Sequence, residues 1–276
     1  MTLPNFIVIG PGKTGTTWLY KCLEAHPQIR LARDTKETFF FNDYYDRGLG
    51  WYEKFFEGYG GAKAIGEVSN TYFFSGEAAE RIASAIPDVK LISMLRSPID
   101  RLISSYLFGR RHARNQQSLD ETVRQKPRIV KRNFFDEYLD AYLKHFSREQ
   151  LLITFYDDIK TDPGALLAQI YGFIGVDPDF RPAVMNERVF AASKPRMVAL
   201  ARILKPFTVW MRKHNLFALL TWAKLNPAVQ GLLNKRIGQE EKPQLSDETR
   251  EYLRAIYLPH IARVEAITGR DLSHWK

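Results

Sequence analysis

The stretch Phe6-Ile-Val-Ile-Gly10-Pro-Gly-Lys13-Thr-Gly15-Thr-Thr17 constrains this chain most. Its apolar run is short and unbroken, so it reads as a parallel strand buried on both faces. A glycine-bearing polar turn follows, then a helix over about residues 16–25 that His26-Pro27 ends. Such a junction aims free N–H groups at an anion. A second junction of the same form runs from Leu91 to Tyr106. There Leu91–Leu95 reads as a strand, Ser97 as an N-cap, Pro98 as the first helical residue, and Asp100 completes a capping-box spacing. It offers Arg96 at the strand end and Ser104 on the helix. Two anion sites on two strand–helix junctions point to a nucleotide with phosphate on both sides of its ribose.

The same alternation continues. Ala64–Val68 and Leu151–Phe155 read as further strands, and residues 76–85, 133–146, 165–174 and 246–268 as helices. The expected fold is a single α/β domain whose central parallel sheet carries helices on both faces. Residues 1–196 form its core, with a P-loop-like phosphate cradle, and residues 197–276 a mostly helical extension. Ligands of such sheets sit at the carboxyl ends of the strands, where both junctions fall. A chain of 276 residues fits one such enzyme domain.

The formal net charge of +9 calls for an anionic partner. The basic residues are dispersed rather than gathered, which argues against nucleic acid. Between residues 197 and 237, Lys205, Arg212, Lys213, Lys224, Lys235 and Arg236 lie among Phe207, Trp210, Phe217 and Trp222 in a stretch of helical character. Packing on the domain with solvated lysines is the preferred reading, and membrane-surface contact the other. Residues 239–244 read as a linker. The one cysteine, Cys22, shares helical spacing with Trp18, Leu19 and Leu23 and reads as a core side chain. No apolar run approaches the ~20 residues of a membrane span, and no basic region precedes Phe6. The expectation is a cytoplasmic enzyme without a signal peptide.

The first junction is not a Walker A motif. G-x-x-x-x-G-K-[ST] requires a glycine five residues before Gly12, and Ile7 stands there. The clearest candidate for a metal-bearing strand ends in Arg96 rather than aspartate, and an arginine repels a metal. The junction therefore reads as a phosphate cradle without metal-dependent hydrolysis. A small-molecule kinase with a variant P-loop is the rival enzyme class, and a protein that binds nucleotide without catalysis the rival outside enzymology.

Together these residues resemble the sulfotransferases that use 3′-phosphoadenosine 5′-phosphosulfate (PAPS), in the branch of the heparan sulfate O- and N-sulfotransferases and their bacterial relatives. Lys13-Thr-Gly15-Thr16 matches the family's K-x-G-T stretch, and Arg96 with Ser104 its R…S pair. The likeness continues at Lys36-Glu37-Thr-Phe39-Phe40, Gly48-Leu-Gly-Trp51-Tyr52, Glu67-Val-Ser-Asn-Thr-Tyr72-Phe73, Leu151 to Asp158, and Ser193-Lys194-Pro-Arg196. It covers roughly the first 200 residues, and Ile267 to Trp275 also looks like bacterial members. The resemblance implies that Lys13, Thr14, Gly15, Thr16 and Thr17 hold the 5′-phosphosulfate and that Arg96 and Ser104 hold the 3′-phosphate. It further implies that Lys194 and Arg196 close over the phosphates and that Glu37 is the general base, with no metal ligand. Lys13 is the cation candidate beside the leaving oxygen. His26, at the far end of its helix, and His112 are the other candidate bases. Two departures stand out: Pro195 replaces a loop glycine, and Val68 replaces the lysine after Glu67. The second argues against assuming a heparan-type acidic acceptor, so saccharide, lipid and small metabolite stay open, as do O- and N-sulfation.

Overall fold

A computed structural model of the chain describes residues 2–111, 117–187, 193–195, 208, 210–211, 216–226, 228–229, 231, 234–236 and 243–276. In chain order the elements are β1 (Phe6–Gly10), α1 (Thr16–Ala25), β2 (Ile29–Leu31), α2 (Phe40–Asp43), α3 (Leu49–Glu53), β3 (Ala64–Val68), α4 (Gly76–Ala85) and β4 (Lys90–Leu95). There follow α5 (Pro98–Arg111), α6 (Leu119–Gln125), α7 (Pro127–Lys131), α8 (Phe135–Leu143), β5 (Leu151–Phe155), α9 (Tyr156–Thr161) and α10 (Pro163–Ile174). Last come β6 (Ser193–Pro195), α11 (Phe217–Leu225), β7 (Asn234–Arg236) and α12 (Asp247–Thr268). They divide into two compact units, Met1–Arg96 with Phe135–Val189, and Ser97–Phe134 with Phe190–Lys276.

The first unit holds a five-stranded parallel sheet in the order β2-β3-β1-β4-β5. Every residue of β1 and β3 is buried, as strands covered on both faces require. From β1 the chain moves to β2 and β3 on one side, then returns past β1 to β4 and β5 on the other. Right-handed crossovers then put α1 and α4 on opposite faces and make β1/β4 the switch point, where a ligand crevice is expected at the carboxyl ends. The β1–β4 register slips between Val8, opposite Ile92, and Gly10, opposite Ser93, so Ile9 is the extra residue of a bulge at that end. β2 has only three residues, with Arg30 exposed, too brief for a periodic signal.

In the second unit α6 begins with a capping box, Ser118 Oγ accepting from Glu121 N at 3.2 Å while Glu121 Oε2 accepts from Ser118 N at 2.8 Å. Ser246 caps α12 by accepting from Thr249 N. Arg101, buried, donates to Asn133 Oδ1 at 2.7 Å, and Asn133 Nδ2 donates to the Tyr257 hydroxyl at 3.2 Å. The helical expectation for residues 197–237 holds at α11 and fails at Asn234–Arg236, which pairs antiparallel with Ser193–Pro195, Lys194 opposite Lys235. Each of these strands has only three residues, Ser-Lys-Pro and Asn-Lys-Arg, too few to define an alternating pattern. On α11, Phe217 and Leu220 are buried while Leu219 and Trp222 are exposed. Arg196, Lys205, Phe207, Arg212, Lys213 and most of residues 239–244 lie outside the described residues. Among the described residues no helix is long and apolar enough to cross a membrane.

Candidate active site

The turn after β1 is shaped by backbone that L side chains rarely adopt. Gly10 has φ +105° and a Cβ there would lie 2.6 Å from Asn70 O; Gly15 has φ +97° and a Cβ would lie 2.6 Å from Ile159 Cδ1. Lys13, between them, takes φ 77°, an uncommon conformation for a residue with a side chain. Gly15 serves as N-cap of α1 and no side chain caps it. The first-turn amides of α1 are thus left to a ligand or water, with the positive end of the helix dipole behind them. Thr17 is half-buried at this edge. Thr14 departs from expectation in its hydroxyl, which is buried and donates back to Pro11 O at 2.7 Å. It stiffens the turn, so only its backbone N–H can serve an anion. Thr16 is likewise buried.

Glu37 lies in the loop between β2 and α2. Thr35 Oγ1 donates to Glu37 O at 2.8 Å and accepts from Glu37 N at 3.2 Å. The Glu37 carboxylate is one-fifth exposed; its Oε1 accepts from Asn70 Nδ2 at 2.6 Å and faces Lys36 Nζ at 3.7 Å. Burial pulls the Lys36 ammonium below the usual lysine range, with the neighbouring Glu37 carboxylate opposing that shift. The Phe39-Phe40-Phe41 run that follows does not bury the Glu37 carboxylate. The Phe40 and Phe41 rings join a cluster of their own, Phe40 stacked on Tyr52 at 4.5 Å between centroids, and the carboxylate keeps its exposure.

Beneath the loop runs a buried chain of donors. Phe41 N donates to the Tyr72 hydroxyl at 3.3 Å, Tyr72 is 3.0 Å from Thr38 Oγ1, and Thr38 Oγ1 donates to Glu67 Oε2 at 2.8 Å. Glu67 is fully buried on β3. Burial raises its carboxyl above the ordinary range, and the hydroxyls of Ser69, Thr38, Tyr72 and Tyr52 oppose that rise. The folded state therefore holds a proton that the unfolded chain releases above pH 4.5. Stability from this group is full below that pH and is lost as pH rises through the folded value. Glu67→Gln, which keeps an acceptor for Thr38, removes the dependence. Melts from pH 4 to 9 should show wild type falling relative to the variant by at most about 1.4 kcal/mol per pH unit. Parallel curves would mean the carboxyl does not titrate in that range.

Arg96 is half-buried at the end of β4, its guanidinium 4.5 Å from the Tyr156 ring centroid. Lys160 Nζ lies 5.1 Å from the same ring, and a Cβ on Gly15 would lie 3.2 Å from Tyr156 Cδ2. Tyr156 thus underlies both the cradle's cap residue and Arg96. It escaped the sequence reading as a site residue, although it stands directly after a strand at the sheet's carboxyl edge. Asn70 and Thr38 escaped too, because their roles depend on the meeting of β3 with a distant loop. Ser104 sits half-buried on α5 in the second unit, and Lys194 on β6 there. Val68, in the place of the family's lysine, is fully buried against solvent. His26 is buried between the Tyr171 and Phe180 rings, Nδ1 accepting from Gln28 N and Nε2 facing Asp177 O. Its place is structural and away from the cradle's end of α1. His112 lies outside the described residues. Cys22 is fully buried on α1, and burial pushes its thiol up to about 12.

The family profile described as a sulfotransferase domain matches residues 3–265. The human bifunctional heparan sulfate N-deacetylase/N-sulfotransferase 3 is 36% identical over 199 residues, 64% of this chain and 23% of that protein. The chain spans under a quarter of the length of the curated relatives it matches. A sulfotransferase from Alicyclobacillus acidocaldarius shares the fold at a TM-score of 0.72 and 24% identity, covering 100% of this chain and 99% of the other. A mouse sulfotransferase complexed with PAP aligns at a TM-score of 0.53 and 14% identity over 94% of this chain and 84% of its own.

Proposed function

The chain belongs to the sulfotransferase domain family, and from that premise we propose that it moves the sulfuryl group of PAPS to a hydroxyl or amine of an acceptor. The observation that carries this is the uncapped start of α1 at Gly15, at the same sheet edge as a carboxylate held by Asn70 and Lys36. The site fits a phosphate ester: close-packed glycine backbone, unclaimed helix amides, and basic side chains on the same edge. Lys13 and the amides of Thr14 to Thr17 hold the 5′-phosphosulfate. Arg96, on its tyrosine platform, holds the 3′-phosphate; Ser104, Lys194 and Arg196 join it on the resemblance alone. When bound, PAPS supplies a sulfuryl group that transfers in line through a loose transition state, with charge growing on the leaving phosphate. The Lys13 ammonium answers that charge. Glu37 takes the acceptor's proton through Oε2, since Oε1 is engaged by Asn70 and Lys36.

A saccharide hydroxyl or amine is the acceptor class that the names of the relatives support. Buried Val68 offers no cation to an acidic sugar, which favours a less charged one. Transfer without a metal, and a cytoplasmic setting, complete the proposal. Thermal melts test the donor. PAP at 100-fold its Kd, with chelator present, is expected to stabilise the protein by about 2.7 kcal/mol. An equal or larger gain from ATP with magnesium would overturn the reading in favour of a kinase. A mass gain of one sulfo group on sugars in a PAPS-fed extract is the matching activity readout.

A further inference from the structure

We infer that Asn70 is a positioning residue, whose amide fixes the Glu37 carboxylate against the phosphate cradle so that one carboxylate oxygen faces the acceptor. The inference rests on Glu37 as the base. An ionised carboxylate only accepts hydrogen bonds, so the Asn70 NH2 has to face it, and it does, Nδ2 to Oε1 at 2.6 Å. A bond that short to a charged acceptor belongs to the stronger class. It also decides which oxygen is spoken for. Lys36 Nζ approaches the same Oε1, and no described residue donates to Oε2.

Asn70 reaches the cradle from its other side. A Cβ on Gly10 would lie 2.6 Å from Asn70 O and 2.9 Å from its Cα, and one on Gly12 would lie 3.5 Å from Asn70 Cβ. Base and cradle therefore share one rigid residue, two positions past the end of β3. The Asn70 carbonyl oxygen supports the assignment. Oδ1 is buried and finds no hydrogen-bond partner among the described residues. An unsatisfied buried acceptor is costly, and a side chain present only to fill space has no reason to carry it. Facing the donor end to Glu37 forces the acceptor end inward. Lys36 makes a charge contact that leaves the carboxylate's angle open, whereas the planar amide sets a direction.

The test compares Asn70→Leu, which fills the space without a donor, with Glu37→Gln and the double variant. Single-turnover transfer and PAP affinity are read for each. Asn70→Leu is expected to keep PAP affinity and the KM for PAPS while losing about 10–100-fold in the transfer rate, the range of one hydrogen bond to a charged group. In the Glu37→Gln background the same change should cost less than about twofold, because the two groups act as one. Asn70→Ala supplies the same comparison should the leucine variant fold poorly. Normal transfer in Asn70→Leu beside an impaired Glu37→Gln overturns the inference and spares the base. An undiminished loss in the double variant also overturns it. Full activity in Glu37→Gln removes the base and the inference together.

Discussion

Glu37→Gln is expected to abolish most turnover, by roughly 10²–10⁴-fold, the usual worth of a general base, while the fold and PAP affinity stay as they were. Glutamine keeps the shape of the side chain and an oxygen for Asn70 Nδ2, so the loop and its fastening to Thr35 have no cause to move. What it cannot do is take a proton. The cradle around Gly15 is built from α1 and the turn before it, none of which touches the Glu37 carboxylate directly in the bonds described. Isothermal titration of PAP and single-turnover transfer separate the two effects. An alcohol acceptor that is sulfated at near-normal rate by the variant would exclude Glu37 as the base, and His112→Ala becomes the next variant to measure. An amine already neutral at the working pH needs less help, so the comparison is made with a hydroxyl acceptor.

The second large effect is expected from Gly10→Ala. The added methyl would meet backbone, Asn70 O at 2.6 Å and Asn70 Cα at 2.9 Å, and backbone cannot rotate aside. The residue also sits at φ +105°, where alanine is strained. Strain of about 1–3 kcal/mol adds to overpacking of about 1–3 kcal/mol. For a chain of this size each kcal/mol is worth about 2–4 °C in Tm, so a fall of roughly 5–20 °C is expected by calorimetry. Because the methyl pushes on the segment that holds Glu37, turnover should fall below what the residual folded protein accounts for. A variant with unchanged Tm would show that β1 and the strand end at Asn70 can separate without cost.

The same neighbourhood explains what could be read without a structure. Phe6–Ile9 is an unbroken apolar run and Leu151–Phe155 a nearly apolar one, and helix α1 is bracketed by glycine and His26-Pro27. Those signals are local, and they survive folding because burial on both faces reinforces them. The Lys13 turn and Arg96 were visible for the same reason, each following a strand. Ile29–Leu31 was not, since three residues define no period. The short helices between Phe40 and Glu53 were also hidden, their aromatic spacing set by the ring cluster rather than by a solvent-facing pattern. Asn70 lies inside the Glu67 to Phe73 motif with nothing in the sequence to single it out. Its importance arises from a partner 33 residues away, and no spacing rule carries that information. The hydroxyl of Thr14 misled in the opposite sense, because a threonine beside a cradle looks like a donor to the ligand until its Pro11 contact is seen.

Cys22 lies one helical turn beyond Trp18 on the helix whose first residues form the cradle, and its sulfur is sealed from water. Alkylating reagents attack the thiolate, so reaction in the native state is held back twice, by access and by the raised thiol. Oxidants meet the same closed door. Chemistry at this sulfur therefore reports the rare opening of α1, and the carbonyl of Cys22, which accepts from the Tyr171 hydroxyl at 3.1 Å, ties that opening to α10. A ligand seated on the amides of α1 lowers the population of the open form by the factor that measures its own binding. The protein thus contains, at one native atom, a clock whose rate counts how often its cradle comes apart.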